Sequence, residues 1–265
     1  MTSPCDVTVV VPAYCAEPYL RATLDNVAAQ TLPPVELIVV DDGSPDGTRA
    51  VVERFAREHP HLPVRLLAEP HRGPGATRNA GVRAAKTPWI AFLDSDDLWR
   101  PEKLARVWQA VLAHPAANFF CHNEITRQVD GTEQPADYGA GYDAGRSLPA
   151  QLYRRNYFST SAVVCRRESV LQCGGFDETL SSAQDYELWL RMSPELRPVF
   201  VRESLGVYVM RPGNISTSRA WRRLLNMWRV RYRHRSKGGP VQFVWRICRE
   251  SLSSLAGPIR QWWRR

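Results

Sequence analysis

The amino-acid sequence predicts an α/β fold, a doubly wound mixed sheet followed by an amphipathic helical tail. Three observations carry this expectation. Four short apolar runs without polar alternation occur in the first third of the chain, as in strands covered on both faces. Segments with helical spacing of apolar residues separate them. Beyond about residue 218 the composition turns to arginine, tryptophan and leucine at helical intervals.

Val7–Val11 is the first strand, expected to stop at Pro12. Glu17 to Gln30 places Leu20, Leu24 and Val27 on one helical face and ends before Pro33-Pro34. Leu37–Val40 is the second strand, Val64–Leu67 the third and Trp89–Leu93 the fourth, with helices at Thr48–Glu58 and Ala76–Ala85. After about residue 115 the rhythm changes. Phe119–Ile125 reads as a strand, Val129-Asp130-Gly131 as a hairpin turn, 131–147 as a loop, Ser161–Cys165 as a strand and Asp185–Met192 as a helix. The expected divisions are 1–115, 116–217 and 218–265.

The hydrophobic fraction of 44% suffices for a sizeable core. No apolar run reaches the roughly 18 residues that a membrane-spanning helix needs, and mean hydropathy is −0.36. Met1 to Asp6 lacks the charged and apolar regions of an export leader, and six scattered cysteines contain no C-x-x-C pair. A cytoplasmic protein with reduced thiols is expected. The net charge of +8 is uneven, because the stretch from Arg219 onward carries 13 basic residues and one acid, Glu250. A +12 tail therefore accompanies a −4 body.

Strand two ends in Asp41-Asp42-Gly43-Ser44 and strand four in Asp94-Ser95-Asp96-Asp97. Five acids at the mouth of one sheet repel one another unless they share a positive partner, and hard oxygen ligands select Mg²⁺ or Mn²⁺. The alternative for Asp41, Asp42 and Asp97 is a turn or helix cap. Between these strands, Gly73 to Gly81 matches neither G-x-G-x-x-G nor a Walker sequence, so nicotinamide and P-loop chemistry lack support. Its glycines still open a helix toward an anion, and Arg78 adds a planar donor. His59, His61, His71 and His114 are expected to be solvated loop residues.

Taken in order, several segments carry a resemblance. Val9-Val10-Val11-Pro12-Ala13-Tyr14 is similar to a first strand and base-binding loop, and Val40-Asp41-Asp42-Gly43-Ser44 to a second-strand signature. Ala76-Thr77-Arg78-Asn79-Ala80-Gly81 resembles an A-R-N-x-G segment with one residue inserted, and Phe92-Leu93-Asp94-Ser95-Asp96-Asp97 carries D-x-D. Gly174-Gly175-Phe176-Asp177 is then followed by Asp185-Tyr186-Glu187-Leu188-Trp189-Leu190-Arg191. The chain thus resembles, over residues 7 to 216, the family 2 glycosyltransferases, inverting enzymes of GT-A fold that use nucleotide-diphospho-sugars.

The resemblance implies a nucleotide-sugar half at 1–115, with UDP-sugar as the favoured donor, and an acceptor half at 116–217. Pro12, Ala13, Tyr14, Glu17, Asp42, Arg78, Asp94 and Ser95 would bind the nucleotide-sugar, with Asp42 on the base. Asp96, supported by Asp94, would hold the metal, and Asp185 would be the general base. Gln184, Trp189 and Arg211 are expected toward the acceptor, Trp189 having a place in the core as its other reading. Two departures stand out: Gln184-Asp185 replaces a Glu-Asp pair, and Arg211 occupies the place of a His, where it serves neither as metal ligand nor as base. Processive synthases of the family carry Q-x-x-R-W and membrane helices; this sequence has neither, which points to transfer of a single sugar to a glycan or lipid-linked acceptor.

In the tail, Trp221, Leu224, Leu225, Trp228 and Tyr232 recur at helical spacing among arginines, Gly238-Gly239-Pro240 interrupts, and Val241, Val244, Trp245, Cys248 and Leu252 resume. With Trp262 and Trp263, this composition predicts attachment to an anionic membrane surface at its inner face. The alternative is a helical pair packed on the body. No nucleic-acid motif accompanies the charge. Rival readings of the whole chain are a sugar-nucleotide pyrophosphorylase, which would want a Gly-rich, Lys-bearing loop after strand one, and a non-catalytic membrane- or nucleic-acid-binding protein.

Overall fold

The computed structural model describes residues 5–211 and 220–262, with side chains up to residue 250 in the second stretch. The expected boundary at 217/218, Trp263, and the side chains of Leu252 and Trp262 lie outside the described residues. The elements run β1 Val7–Ala13, α1 Glu17–Ala28, β2 Glu36–Asp41, α2 Thr48–Glu58, β3 Val64–Ala68, α3 Pro74–Ala84 and β4 Trp89–Phe92. They continue with β5 Leu98–Trp99, α4 Lys103–Ala113, β6 Phe119–Arg127, β7 Glu133–Ala136, α5 Leu148–Arg154, β8 Val163–Arg166 and α6 Arg167–Gln172. The last are α7 Gln184–Met192, β9 Pro198–Val209, α8 Ala220–Arg233 and α9 Arg235–Trp262.

One mixed sheet of nine strands runs β3-β2-β1-β4-β8-β6-β9-β5, with β7 paired to β6. The four expected strands of the first third pair in parallel, while β8 runs antiparallel to both β4 and β6. Residues alternate between two cores on opposite faces: Val10, Ile38 and Phe92 on one, Val9, Val11 and Leu37 on the other. Both faces of these strands are therefore covered, as their unalternating apolar sequences require.

Several local expectations change. β1 runs through Pro12 to Ala13, paired with Val40 and Asp41 of β2. Leu93 donates its N–H to Val10 and Asp42 donates to Ala13, so Pro12 faces the side where β4 has already ended, and its missing N–H costs no ladder bond. The 131–147 loop contains β7, joined to β6 by a turn in which Gly131 adopts φ 84°. The sequence expectation includes none of β5, α4, α5, α6 and β9. In β9 the exposed Arg202 and Glu203 interrupt the alternation where the β6–β9 register shifts, so no continuous strand pattern survives in sequence.

Glycine decides two close approaches. A Cβ on Gly81 would collide with Val10, so α3 lies directly on β1. A Cβ on Gly175, whose φ is 75°, would collide with the Asn79 amide, which instead bonds both the N–H and C=O of Phe176 at 2.7 and 2.9 Å.

The start of the tail packs on the body. Val230 is fully buried, Asn226 donates to the Ser181 and Ser182 hydroxyls at 3.0 Å each, and Arg231 lies between the Tyr153 and Tyr186 rings while pairing with Glu250 at 3.0 Å. Gly239, at φ 74°, breaks the helical backbone within α9, where the sequence expectation put a break. Trp221, Val241, Val244 and Trp245 remain exposed.

Trp189 has no exposed surface. It meets Phe119 edge-on at 5.0 Å, with Phe92 and Phe176 at 6.4 and 6.1 Å, so its acceptor-side reading is corrected to a core residue. Trp189→Ala is accordingly expected to cost about 3–5 kcal/mol of stability, read as a lowered urea midpoint. An unchanged midpoint would remove Trp189 from the core.

Candidate active site

Two clefts open at the carboxyl ends of the parallel strands. The first, about 580 Å³, is bounded by Pro12, Ala13 and Tyr14 at the end of β1, by Asp42 after β2, and by Asp94, Ser95 and Asp96 after β4. Chain reversal after each buried strand brings these termini together although they are distant in sequence. The second cleft, about 880 Å³, holds Gln184 and Asp185 at the start of α7. Arg78, Asp94 and Tyr208 line both, so the clefts share a wall.

Asp42 sits in a cradle of donors. Its Oδ1 accepts the Arg72 N–H at 2.8 Å and its Oδ2 the Gly73 N–H at 2.9 Å, with His71 Nδ1 also 2.9 Å from Oδ2. His71 stacks on Tyr14, their ring centroids 4.2 Å apart. His71 therefore belongs to the first cleft and is not merely a solvated loop residue; lying in a loop beside Arg72 and Gly73, it carried no periodic signal. Asp41 is fully buried, pairing with Arg49 at 2.6 Å and accepting from the Ser44 N–H at 3.2 Å, which is the turn-shaping reading.

The other carboxylates are matched by arginines. Arg78, buried on α3, reaches Asp94 at 2.5 Å. Arg211, following β9, pairs with Asp96 and stacks over the Tyr19 ring at 3.3 Å. Arg211 thus lies in the first cleft with the strand-end acids, and not beside Gln184 and Asp185. Glu17 lines neither cleft: its carboxylate accepts the Gly47 N–H at 2.8 Å and ties α1 to the start of α2.

Asp97 is structural. It is buried, accepting the Ser161 hydroxyl at 2.6 Å and the Val209 N–H at 3.0 Å. Asp94 and Asp96, in contrast, are each about a quarter exposed to the cleft (29% and 25%). Among the described residues no three His, Cys, Asp or Glu side chains cluster as a metal cage. Two accessible carboxylates without sulfur or imidazole suit Mg²⁺ or Mn²⁺, ions that take their remaining ligands from water and phosphate oxygens. Such an ion would share Asp96 with Arg211.

Asp185 is the second residue of α7, where the helix dipole favours its ionised form. Burial opposes this and wins, raising its pKa above the ordinary carboxylate value; the Arg78 charge, the Tyr186 N–H and the Thr160 hydroxyl, at 3.1 Å, pull it back in part. Among the described residues, two non-glycine residues hold left-handed backbone, Cys15 at φ 48° and Ala183 at φ 60°, and each lines one of the clefts. Strain at the order of 1 kcal/mol per residue is thus concentrated where side chains are aimed into the site.

Residues 8–174 match the model of glycosyl transferase family 2. A glycosyltransferase of unassigned specificity from Haemophilus influenzae is 29% identical over 75% of this chain and 66% of its own length. The pre-mycofactocin glycosyltransferase of Mycobacterium tuberculosis is 33% identical over 71% of this chain and 39% of its own. The chain therefore spans less than two thirds of these relatives. Among solved structures, S. aureus TarS 1–349 in complex with UDP-GlcNAc superposes with a TM-score of 0.70 at 22% identity, covering 85% of this chain and 65% of that one. The mannosyltransferase PcManGT of Pyrobaculum calidifontis, in complex with GDP-Man and Mn²⁺, gives 0.69 at 24%, covering 96% and 70%. With the family model spanning well over half of the sequence and the sheet superposing on these enzymes, the chain belongs to glycosyltransferase family 2 and has the GT-A fold.

Proposed function

We propose that the chain transfers a single sugar, with inversion, from a nucleotide-diphospho-sugar in the first cleft to a hydroxyl of a glycan or lipid-linked acceptor in the second. The observation that carries this reading is the wall shared by the two clefts at Arg78 and Asp94, which brings the base candidate Asp185 to the side of the strand-end carboxylates. The UDP and UDP-GlcNAc complexes of TarS support a UDP-sugar as donor.

In this reading Tyr14, half exposed and stacked on His71, packs on the nucleobase, and Asp42 accepts a base N–H. Arg78 and Arg211 direct guanidinium groups at the diphosphate. A Mg²⁺ or Mn²⁺ ion held by Asp96 and Asp94, when bound, supplies charge neutralisation at the leaving diphosphate. Asp185 takes the proton of the acceptor hydroxyl while that oxygen attacks the anomeric carbon from the face opposite the diphosphate. The bond from the anomeric carbon to the phosphate oxygen breaks, its electron pair leaving with the nucleotide.

The tail, with Trp221, Val241, Val244 and Trp245 exposed among arginines, supports attachment to an anionic membrane surface on the cytoplasmic side. Among the described residues no helix is long and apolar enough to cross a membrane.

Asp96→Asn is expected to lose transfer in Mg²⁺ or Mn²⁺ while keeping its fold by circular dichroism; full activity, or activity indifferent to a chelator, would remove the metal from this reading. Asp185→Asn should keep donor affinity and lose about 10²- to 10⁴-fold in turnover. Because the Asp185 pKa is raised, the base is competent above that pKa and lost as pH falls through it, so the acid limb of kcat/KM should lie above the usual aspartate range. The same sign makes ionised Asp185 a stability cost at neutral pH, so the Asn variant should unfold no more easily than the wild type. A destabilised variant with weakened donor binding would make Asp185 structural. For the tail, Trp221→Ala/Trp245→Ala should reduce sedimentation with vesicles containing anionic lipid, and equal recovery of both proteins with the vesicles would overturn the membrane reading.

A further inference from the structure

The second cleft has a strongly basic rim. Arg154 and Arg155 come from the end of α5, Arg223 from α8, and Arg246 and Arg249 from α9. Among the described residues none of these five pairs with an acid. Arg155 donates to two backbone carbonyls, and Arg246 and Arg249 share the Trp245 ring at 4.8 and 5.2 Å. Of the carboxylates near the cleft, Asp94 pairs with Arg78 and Glu250 with Arg231, and Asp185, bonded to the Thr160 hydroxyl, is a single negative charge among the arginines. Arg246 lies below its ordinary pKa first through partial burial and then through repulsion from Arg231 and Arg249, which Tyr186 and Glu250 offset in part.

Four of the five arginines are exposed and Arg246 is half-buried, and like charges converging on one cavity give it a positive potential that attracts an anion. Guanidinium forks match phosphate oxygens in pairs of parallel hydrogen bonds. A lone carboxylate would neutralise one of five arginines, whereas a phosphodiester or diphosphate offers several oxygens to several forks. The arrangement also accounts for the charge asymmetry of the chain, since helices of the +12 tail bring three of the five arginines to a cleft of the −4 body.

We propose that the second cleft selects an acceptor carrying a phosphate or diphosphate beside the hydroxyl that is glycosylated. This rests on the reading of that cleft as the acceptor site. The phosphate reaches the cleft either on a lipid-linked sugar or within a phosphate-containing glycan, and both present the same chemistry to the arginines.

The test is calorimetric titration of the full-length chain saturated with UDP, using decyl glucoside, glucose 1-phosphate and decyl-diphosphoglucose. The phosphorylated probes should bind about 10- to 100-fold more tightly than the glucoside. Comparable affinity for glucose 1-phosphate would assign the phosphate to a glycan, and a requirement for the decyl chain would assign it to a lipid. Arg246→Gln/Arg249→Gln should close most of the gap with UDP affinity unchanged. Arg154→Gln, on a different element, should move it in the same direction should the double variant be unstable. Equal affinity for neutral and phosphorylated probes, or a gap that survives in both variants, would overturn the proposal. Failure of the wild type to bind UDP would instead overturn the donor-cleft reading.

Discussion

Asp97 is buried, and its two carboxylate oxygens each accept a hydrogen bond from a different part of the chain, the Ser161 hydroxyl before β8 and the Val209 N–H at the end of β9. Burial, followed by the proximity of Glu124 and Asp94, raises its pKa well above the ordinary value. These two bonds fasten the loop after β4 to β9, which pairs in turn with β5 only a few residues beyond Asp97. Five residues link β4 to β5, while β8, β6 and β9 lie between them in the sheet. With Asp97 of that link bonded to the Val209 N–H, the sheet curls and the end of β9 lies beside the end of β4. Tyr208 and Arg211 reach the strand-end acids for that reason.

The first cleft is organised by charge matching. Asp94 and Asp96 each face a guanidinium, and Asp42 is held by backbone N–H groups and His71. Unmatched carboxylates gathered at one end of a sheet would repel one another. With cations from α3 and from the residue after β9, the cleft carries both the negative groups that suit a metal and the positive groups that suit a diphosphate.

The tail has a packed side and exposed residues that its composition alone does not separate. Its inner side packs through Val230, Asn226 and Arg231, and a Cβ at Gly238 would strike the Tyr153 ring. That side makes the first part of the tail a structural wall of the second cleft, as the packed-helix alternative anticipates. Trp221 and Trp245 stay exposed. The Trp245 ring lies against Arg246 and Arg249, which line the second cleft, so the exposed indole sits beside that cleft.

The sequence by itself determined the parallel half, the carboxylates at its strand ends and the helical nature of the tail. Those features are local: Val7–Val11, Leu37–Val40 and Thr48–Glu58 carry their period in a few residues, and the glycines and prolines between them act through the backbone of their own positions. Tertiary structure alone decided that β1 continues through Pro12, that Trp189 belongs to the core, that Glu17 caps α2 instead of lining a cleft, and that His71 joins Asp42. It also decided which arginine neutralises which carboxylate, because Arg211 and Asp96 meet only through the curl that Asp97 and β9 impose. Side-chain pairing across distant segments follows from where the chain returns, and no local period encodes that return.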